Sequence, residues 1–384
     1  MSIYIDTEWA SLSKYGEELS GDHVEVVRTD EGVVAVLADG LGSGVKANIL
    51  ATLTAKIIAT MVKNGATLDD TIETVSQTLP VCQKRNLAYS TFTIIKVTQE
   101  GYGYAAEFDN PTLIFVRAGK LSALDWEERA IEGRKIRESR FQVEPGDVLV
   151  AVSDGVIHAG IGGVLNLGWQ WDEVANYIEK LVNLQPDAET LSKWLITACA
   201  QLYTARPGDD TTALVLKVRT PRTLTVAVGP PKNKTDDAKI AQMIREEPGS
   251  RVICGGTTGS IIAREWGREI EVDLKNLDPE VPPYGRLRGV DLVTEGIITL
   301  SKTLEALKKE EAGKNKSSER KNAVTLLTKL FLESDNIRFL IGTAINPAHQ
   351  NPDLPLNLAL KMQVVKEIAE TLRQKGKKVE LLYF

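Results

Sequence analysis

The pattern of strands and helices changes at Thr220-Pro221-Arg222, and this change most constrains the fold. Before it, apolar strand patterns follow one another through short turns and helical patterns come in pairs. Such an order predicts an α+β domain over residues 1–220, with helices packed outside antiparallel sheets. After it, strand and helix alternate, which predicts an α/β domain over residues 221–384 with a mostly parallel sheet. The length of 384 residues fits two domains.

Several elements of the first domain are predicted from periodicity. The segments "HVEVVRT" and "VVAVLAD" alternate around a short turn, which predicts a β-hairpin. Residues 46–64 carry apolar side chains at helical spacing and end at Asn64-Gly65, a typical C-terminal cap. The segments "STFTIIKVT", "GYGYAAEFD" and "TLIFVRAG" predict three strands in a meander, and "GDVLVAVSD" predicts a further strand.

Composition and charge exclude several classes of function. The net charge of −6 disfavours broad binding to nucleic acid or to an anionic membrane. The three cysteines are far apart in sequence, so neither a disulfide framework nor a zinc site is predicted. The N-terminal residues lack the apolar region of a signal peptide, and no uncharged apolar run is long enough to span a bilayer. We therefore expect a cytoplasmic protein.

Four short stretches of the first domain place an aspartate at the end of a strand pattern. They are "SGDHV" (Asp22), "LADGLGSG" (Asp39-Gly40), "AVSDGV" (Asp154-Gly155) and "PGDDTT" (Asp209-Asp210). Taken singly, each could be a turn, because Asp-Gly is favoured turn chemistry. However, Asp39 and Asp154 each follow a long apolar run, and no return strand follows Asp154. Carboxylates gathered at one sheet edge repel one another, and Mg²⁺ or Mn²⁺ would relieve that repulsion.

A nucleotide-binding loop is the alternative interpretation of "GLGSG". Here Val45 stands where the third glycine of GxGxxG belongs, and Gly44 comes one residue early. Asp39 would also point a negative charge at a bound pyrophosphate. The sequence therefore favours a metal over a nucleotide at this loop.

Taken in order, the stretches "KYGEELSGDHV", "ADGLGSG", "STF", "EFDNPTLIFVR", "PGDVLVAVSDGV" and "PGDDTTALVL" resemble the bacterial metal-dependent protein phosphatases. These are relatives of protein phosphatase 2C of the stage II sporulation protein E type, and the resemblance runs from about residue 14 to residue 218. It implies a sandwich of two antiparallel sheets between helices, with two Mn²⁺ or Mg²⁺ ions at one end. It also implies a serine/threonine phosphatase acting on a signalling phosphoprotein, for example an anti-sigma-factor antagonist.

The resemblance assigns roles to particular residues. Asp39 matches the ligand that bridges both ions, and Asp22 and the Gly40 carbonyl match further ligands of one ion. Asp154 and Asp209 match the ligands of the other ion. Asp210 is either an additional ligand or a residue of the turn.

Other residues near these motifs have weaker expectations. Leu41 stands where some family members carry a proton-donating histidine, so a metal-bound water is expected to be the acid. Thr91 and Asn110 are expected to shape the site, with core packing the favoured role of Thr91. Further candidates near the motifs are His23 and His158, both expected to be peripheral, and Lys14 and Lys46 as weak phosphate contacts.

Residues 155–170, "GVIHAGIGGVLNLGWQ", form a long glycine-rich and apolar connection after Asp154. Loops of this length in a compact domain are often functional. We expect either a flap that docks the protein substrate or a packed irregular connection.

In the second domain, the segment "CGGTTGS" passes from a strand pattern into a helix pattern. The N–H groups of such a loop could hold a small anionic ligand. The candidate residues are Gly255, Gly256, Thr257, Thr258 and Gly259, with Thr294, Glu295, Thr343 and Asn346 able to complete a pocket. Alternatively, these residues only form turns and helix caps, and the domain is structural.

Two rivals to a phosphatase remain from the sequence. One is a non-catalytic signalling scaffold that uses a phosphatase-like domain to bind partners, which would require lost metal ligands. The other is a small-molecule sensor whose main role lies in residues 222–384.

Overall fold

The computed structural model describes residues 2–29, 31–78, 90–131, 134–273, 278–311, 321–344 and 355–384. The chain divides into two compact units, Met1–Thr220 and Pro221–Phe384. Two residues considered in the sequence, Cys82 and Asn346, lie outside the described residues.

The first unit contains two antiparallel sheets and five helices. Its strands are β1 (Tyr4–Leu12), β2 (Asp22–Arg28), β3 (Gly32–Gly40), β4 (Ser90–Thr98), β5 (Tyr102–Phe108), β6 (Ile114–Arg117), β7 (Lys120–Leu121), β8 (Glu127–Ile131), β9 (Arg134–Gln142), β10 (Val148–Val152) and β11 (Thr211–Arg219). Its helices are α1 (Gly44–Lys63), α2 (Leu68–Thr78), α3 (Asp154–Ile157), α4 (Trp171–Val182) and α5 (Ala188–Leu202). The strand orders are β1-β11-β10-β6-β7 and β2-β3-β4-β5-β9-β8.

The two sheets pack face to face and are covered by helices on their outer faces. Side chains such as Leu37 and Leu149 fill the space between the sheets. Helices α1 and α2 cover the six-stranded sheet, and α4 and α5 cover the five-stranded one. Residues 33–38 of β3 are all buried, because this central strand is covered on both faces and therefore needs apolar residues throughout. The predicted sandwich is confirmed.

The predicted meander is wrong in its third strand. Strands β4 and β5 pair, but the next neighbour of β5 is β9, with Ala105 opposite Ser139. Strand β6 instead pairs with β10 in the other sheet, with Val116 opposite Val148. A change of direction at Asp109, whose φ is +50°, precedes this crossing between sheets. Turn residues alone do not specify which sheet receives the next strand.

Helix α1 is, in the part of the chain that the structure describes, the one helix with the length and apolar composition of a membrane span. Its buried face packs against the six-stranded sheet through Ala47, Ala51, Ala55 and Ile58. Only 39% of its most apolar window is buried. Lys46, Lys56 and Lys63 interrupt this helix, so it is not the long uncharged apolar run considered in the sequence.

The second unit is built on a seven-stranded, mostly parallel sheet, as predicted. Its strands are β12 (Thr223–Val228), β13 (Ser250–Cys254), β14 (Glu271–Val272), β15 (Gly285–Leu287), β16 (Val290–Thr294), β17 (Asn336–Ile341) and β18 (Lys378–Tyr383). Its helices are α6 (Asp237–Glu246), α7 (Gly256–Trp266), α8 (Ile297–Glu311), α9 (Ala323–Glu333) and α10 (Pro355–Gln374), with a 3₁₀ turn at Lys234–Asp236. The strand order is β14-β15-β16-β13-β12-β17-β18. Strand β15 pairs with β14 and with β16 in antiparallel fashion, and the other pairs of described strands are parallel.

Helices cover both faces of this second sheet. Helices α6 and α7 pack on one face around Ala227 and Ile253. Helices α8, α9 and α10 pack on the other face around Val226 and Phe339. The unit is therefore a doubly wound α/β fold.

Candidate functional site

The pairing of β2 with β3 brings two of the predicted aspartates together. Asp22, the first residue of β2, lies directly opposite Asp39, near the end of β3. The Gly40 N–H donates to the Gly21 carbonyl oxygen at 3.0 Å and extends this pairing beyond the ladder. The edge of the six-stranded sheet therefore presents two carboxylates side by side.

The five-stranded sheet contributes the other aspartates. Asp154 follows β10 and opens α3, while Asp209 and Asp210 immediately precede β11. Two hydrogen bonds join these strand ends: Ser153 N–H donates to the Thr212 carbonyl at 3.0 Å, and Thr212 N–H donates to Ser153 Oγ at 2.8 Å. Because β10 and β11 are antiparallel neighbours, the end of one strand and the start of the next meet at one edge.

The glycines of both Asp-Gly pairs are required by close backbone packing. A Cβ atom at Gly40 would overlap the Ala47 carbonyl oxygen of α1, and one at Gly155 would overlap the Asp210 carbonyl oxygen. The Tyr203 hydroxyl also donates to the Gly155 carbonyl oxygen at 2.7 Å. These contacts fix the chain beside Asp39 and Asp154 and hold the two strand ends together.

The pKa of Asp39 shows that its carboxyl group interacts electrostatically with the four other aspartates. Burial, and then the negative charges of four neighbours, together raise the pKa of Asp39 to about 9; these neighbours are Asp22, Asp154, Asp209 and Asp210. Burial also raises the pKa of Asp22 to about 7. The pKa of Asp154 is raised by burial and then by Asp209.

Positive charge near the cluster does not balance these carboxylates. Lys14 Nζ lies 3.7 Å from Asp209 Oδ1, and the Lys14 N–H donates to Asp210 Oδ1 at 3.0 Å. His158 Nδ1 lies 3.9 Å from Asp154 Oδ2. One lysine and one histidine face five acidic side chains, so a large negative potential remains.

Several carboxylate oxygens of the cluster are buried without a hydrogen bond. Among the described residues, neither oxygen of Asp22 has a partner, and Asp210 Oδ2 has none. A buried charge without a partner is costly, and hard divalent cations bind carboxylate and carbonyl oxygens. The donor set therefore fits Mg²⁺ or Mn²⁺. Within the described ranges, no three acidic, histidine or cysteine side chains already stand together as a ligand set, so these side chains would turn toward a bound ion.

Of the remaining predicted site residues, one contacts the carboxylate cluster directly. His23 pairs with Glu25 at 3.3 Å and with Thr52 at 3.2 Å. His158 was expected to be peripheral, but it contacts the cluster through Asp154. Leu41 and Lys46 are exposed.

Thr91 and Asn110 form a polar bridge at the same sheet edge. Thr91, half-buried opposite Asp39, donates to Asn110 Oδ1 at 3.3 Å. The Asn110 amide then donates to Thr93 Oγ1 at 2.9 Å. Thr91 thus joins strands through its hydroxyl rather than by core packing alone.

The connection after Asp154 is a closed loop with an apolar tip, and we name residues 158–170 the flap. Its base is joined by a hydrogen bond from Gln170 N–H to the Ile157 carbonyl at 2.9 Å. Ile161, Val164 and Leu167 are 51%, 57% and 74% exposed. An exposed apolar tip of this kind suits contact with a protein.

In the second unit, the structure brings together some but not all of the residues predicted to form a ligand pocket. Gly255 N–H donates to the Thr294 carbonyl oxygen at 2.9 Å, so the start of α7 lies beside the end of β16 and Glu295. Gly259 is buried against Ile270. Thr343 is bonded through its hydroxyl to the Phe384 carbonyl oxygen at 2.7 Å, on another part of the sheet.

Sequence reasoning missed the polar residues that join the strand ends. Ser153, Thr212 and Tyr203 are all buried and make the bonds described above. The sequence carried a signal for two of them, because Ser153 ends an apolar run and Thr212 begins one. Nothing in the sequence around Tyr203 indicates its bond to Gly155.

Comparisons with known proteins identify what the first unit is similar to. The family model for stage II sporulation protein E (SpoIIE) matches residues 29–219. No curated protein matches the chain.

Solved structures similar to the chain are phosphatase domains and related regulators. The SpoIIE phosphatase domain from Bacillus subtilis is 18% identical, with 57% of this chain and 94% of that chain covered and a TM-score of 0.44. The RsbU and RsbW domains of a Mycobacterium tuberculosis protein are 17% identical, with 64% and 69% covered and a TM-score of 0.46. RsbX in complex with magnesium is 17% identical, with 56% and 96% covered and a TM-score of 0.40.

The matched residues span β3 to β11 and include Asp39, Asp154, Asp209 and Asp210, while Asp22 lies just before them. No family is recognised for the second unit. The first unit of this chain belongs to the SpoIIE family of protein phosphatase domains.

Proposed function

We propose that the chain is a metal-dependent serine/threonine protein phosphatase that hydrolyses phosphoserine or phosphothreonine on a signalling protein. The observation that carries the proposal is the convergence of four carboxylates on Asp39, whose pKa is raised to about 9 by burial and by those neighbours. Such a cluster is costly to keep unless cations bind it. The family of the first unit supports the same reaction.

In this proposal, the aspartates divide between two ions. Asp22, Asp39 and the Gly40 carbonyl would hold one, and Asp39, Asp154 and Asp209 would hold the other. Asp210 could support either ion through Oδ2, because its Oδ1 already accepts from Lys14 N–H. Two bound Mn²⁺ or Mg²⁺ ions supply a water that ionises near neutral pH and neutralise charge on the phosphoryl oxygens.

The chain's own residues bind the phosphate and constrain proton transfer. Lys14 Nζ lies within 3.7 Å of Asp209 and offers a positive charge to a phosphoryl oxygen. Leu41 has no proton to donate, so the leaving alkoxide takes its proton from water or from His158. His158 is half exposed beside Asp154 and is therefore accessible to a substrate. The two cysteines that the structure describes, Cys199 and Cys254, are buried and take no part.

The flap is the part of the first unit that we assign to substrate docking. Its exposed apolar tip follows Asp154 in the chain, and its first residue, His158, lies 3.9 Å from Asp154 Oδ2. We propose an anti-sigma-factor antagonist or a similar regulator as the substrate, as the family resemblance implies. The second unit would then regulate the phosphatase. A non-catalytic scaffold is less well supported, because all five aspartates are present.

The test is release of phosphate from a phosphoserine or phosphothreonine peptide by the full chain with Mn²⁺. We expect activity that is lost on adding excess chelator and that falls by at least two orders of magnitude in Asp39→Asn. Asp172→Asn, at a solvated position in the first turn of α4, is the matched control and should retain activity. Equal turnover by Asp39→Asn, or in chelator, would refute the mechanism.

A further inference from the structure

The strand order of the second unit creates a crevice at the carboxyl ends of its parallel strands. From β12 the chain proceeds to β13 and β16 on one side, and then to β17 and β18 on the other. The order therefore reverses between β12 and β17. In doubly wound sheets, the carboxyl ends of the strands at such a reversal form the usual ligand crevice.

The first turn of α7 opens at this edge with uncapped N–H groups. Gly255, whose φ of +120° suits only glycine, turns the chain from β13 into α7, and no side chain caps the helix. The first N–H groups of a helix have no partner within it and favour an anion. Gly256 and Thr257 are exposed, and a Cβ at Gly256 would meet no atom within 4 Å. The turn is open to a ligand.

A second, independent observation at this turn is the buried hydroxyl of Thr258. Thr258 is 1% exposed, and its Oγ1 has no hydrogen-bond partner in the described part of the chain. Oγ1 points back toward the loop, because it is the nearest atom to the Cβ position of Gly255, at 3.4 Å. A buried hydroxyl without a partner is unfavourable, and a bound oxyanion would satisfy it.

Lys361 places a positive charge near the same crevice. Its Nζ donates to the Gly342 carbonyl oxygen at 2.8 Å and lies over Gly229, so it sits at the ends of β12 and β17. Burial lowers its pKa, and no carboxylate among the described residues forms an ion pair with it. Lys361 lies at the ends of β12 and β17, and the α7 turn follows β13, which is the other neighbour of β12.

We propose that the second unit binds a phosphorylated small molecule across this edge. Its phosphate would accept from the N–H groups of Gly256, Thr257 and Thr258 and from the Thr258 hydroxyl. A second anionic group of the ligand would reach Lys361. Exposed Glu295, at the end of neighbouring β16, is placed to accept a hydroxyl of the same molecule.

The first test is calorimetric titration of the full chain with inorganic phosphate in excess chelator, which leaves the first unit without metal. We expect millimolar or tighter binding that Thr258→Val weakens about fivefold or more, since a hydrogen bond to a charged group is lost. Gly256→Pro should weaken it similarly, because proline is tolerated at the first helical position but removes one N–H. Thr303→Val is the control, because that buried hydroxyl bonds within its own helix.

The second test uses a sugar 1,6-bisphosphate as a probe with two separated phosphates. Lys361→Met should weaken this probe by about tenfold while changing the affinity for inorganic phosphate less than threefold. Absence of phosphate binding, or equal binding by wild type, Thr258→Val and Gly256→Pro, would overturn the α7 site. Equal loss of both probes in Thr303→Val would also count against it, since that result would reflect folding.

Discussion

The negative charge of Asp39 is needed to bind metal but destabilises the metal-free protein. Burial and four neighbouring carboxylates raise its pKa to about 9 from an ordinary value of 3.8, and that of Asp22 to about 7. At a pH between the ordinary value of 3.8 and these raised values, Asp39 and Asp22 hold protons in the folded metal-free protein that they have released in the unfolded chain. The contribution of Asp39 and Asp22 to the stability of the metal-free protein is therefore fully present below about pH 4 and is lost as the pH rises toward about 9.

Asp39→Asn should consequently stabilise the metal-free protein at pH 8, although it removes the activity. The amide keeps the shape of the side chain without its charge, so the melting temperature in chelator should rise by several degrees, and more at pH 8 than at pH 5. Asp147→Asn is the matched control, because buried Asp147 accepts from Arg117 at 2.7 Å and should lose roughly 3 kcal/mol. A lower melting temperature for Asp39→Asn at pH 8 would contradict the repulsion.

Gly155 offers a second prediction at the residue scale. Gly155→Ala would force a Cβ against the Asp210 carbonyl oxygen, so we expect a loss of about 1–3 kcal/mol and of phosphatase activity. Gly163→Ala is the control, because its Cβ would meet only the Gly160 carbonyl at 3.6 Å. Chemical denaturation with parallel activity assays measures both effects. Equal stability of the two variants would show that the Gly155 contact is easily relieved.

The sequence predicted which aspartates matter but not how the chain holds them. The ordered Asp motifs indicated a metal site before any geometry was known. The missing Cβ of Gly40 allows the close approach of Ala47, a contact that the Asp-Gly motif did not indicate. The contact of His158 with Asp154 depends on the short helix α3, which the pattern did not predict.

At the scale of elements, the flap is a small closed unit. Glycines with positive φ at Gly160, Gly162 and Gly168 bend the chain, and the bond from Gln170 to Ile157 closes its base. Its apolar tip is held out of the core. An exposed apolar cluster that folding does not use is typical of a protein-binding surface.

Replacing Ile161, Val164 and Leu167 together by serine should therefore separate docking from chemistry. We expect KM for a phosphoprotein substrate to rise roughly tenfold, since a cluster of apolar contacts is lost. With p-nitrophenyl phosphate, which needs no docking surface, kcat and KM should stay within twofold. A parallel loss on both substrates would instead indicate that the flap supports the site itself.

The sequence predicted most helices and strands of both units, but it did not predict every pairing between strands. Periodicity identified α1 and the alternating strands and helices of the second unit, because each helix buries one face and each parallel strand lies in a covered sheet. It could not assign β6 to the five-stranded sheet, since the pairing of Val116 with Val148 joins residues 32 positions apart. Long-range pairing of this kind is determined by the whole core.

At the scale of the whole molecule, each unit has its own core. The clusters around Leu37, Ile58 and Ile178 contain only residues of the first unit, and those around Phe331 and Ile253 contain only residues of the second. Units with separate cores commonly unfold as separate cooperative steps.

Scanning calorimetry of the full chain should therefore resolve two transitions. Mn²⁺ should raise the transition of the first unit, because it binds the folded carboxylate cluster, and should leave the other within about 1 °C. In Asp39→Asn, the first transition should no longer respond. If Mn²⁺ shifted a single common transition, the two units would be one cooperative body.

The most direct test of the central claim is calorimetric titration of the metal-free full chain with Mn²⁺ at pH 7, in buffers of different ionisation enthalpy. Two ions per chain should bind and release protons, because Asp39 and Asp22 hold protons before metal binds. Asp39→Asn should weaken both ions, since Asp39 is shared. Absence of Mn²⁺ binding, or two ions bound equally well by Asp39→Asn, would contradict a two-metal site built on Asp39.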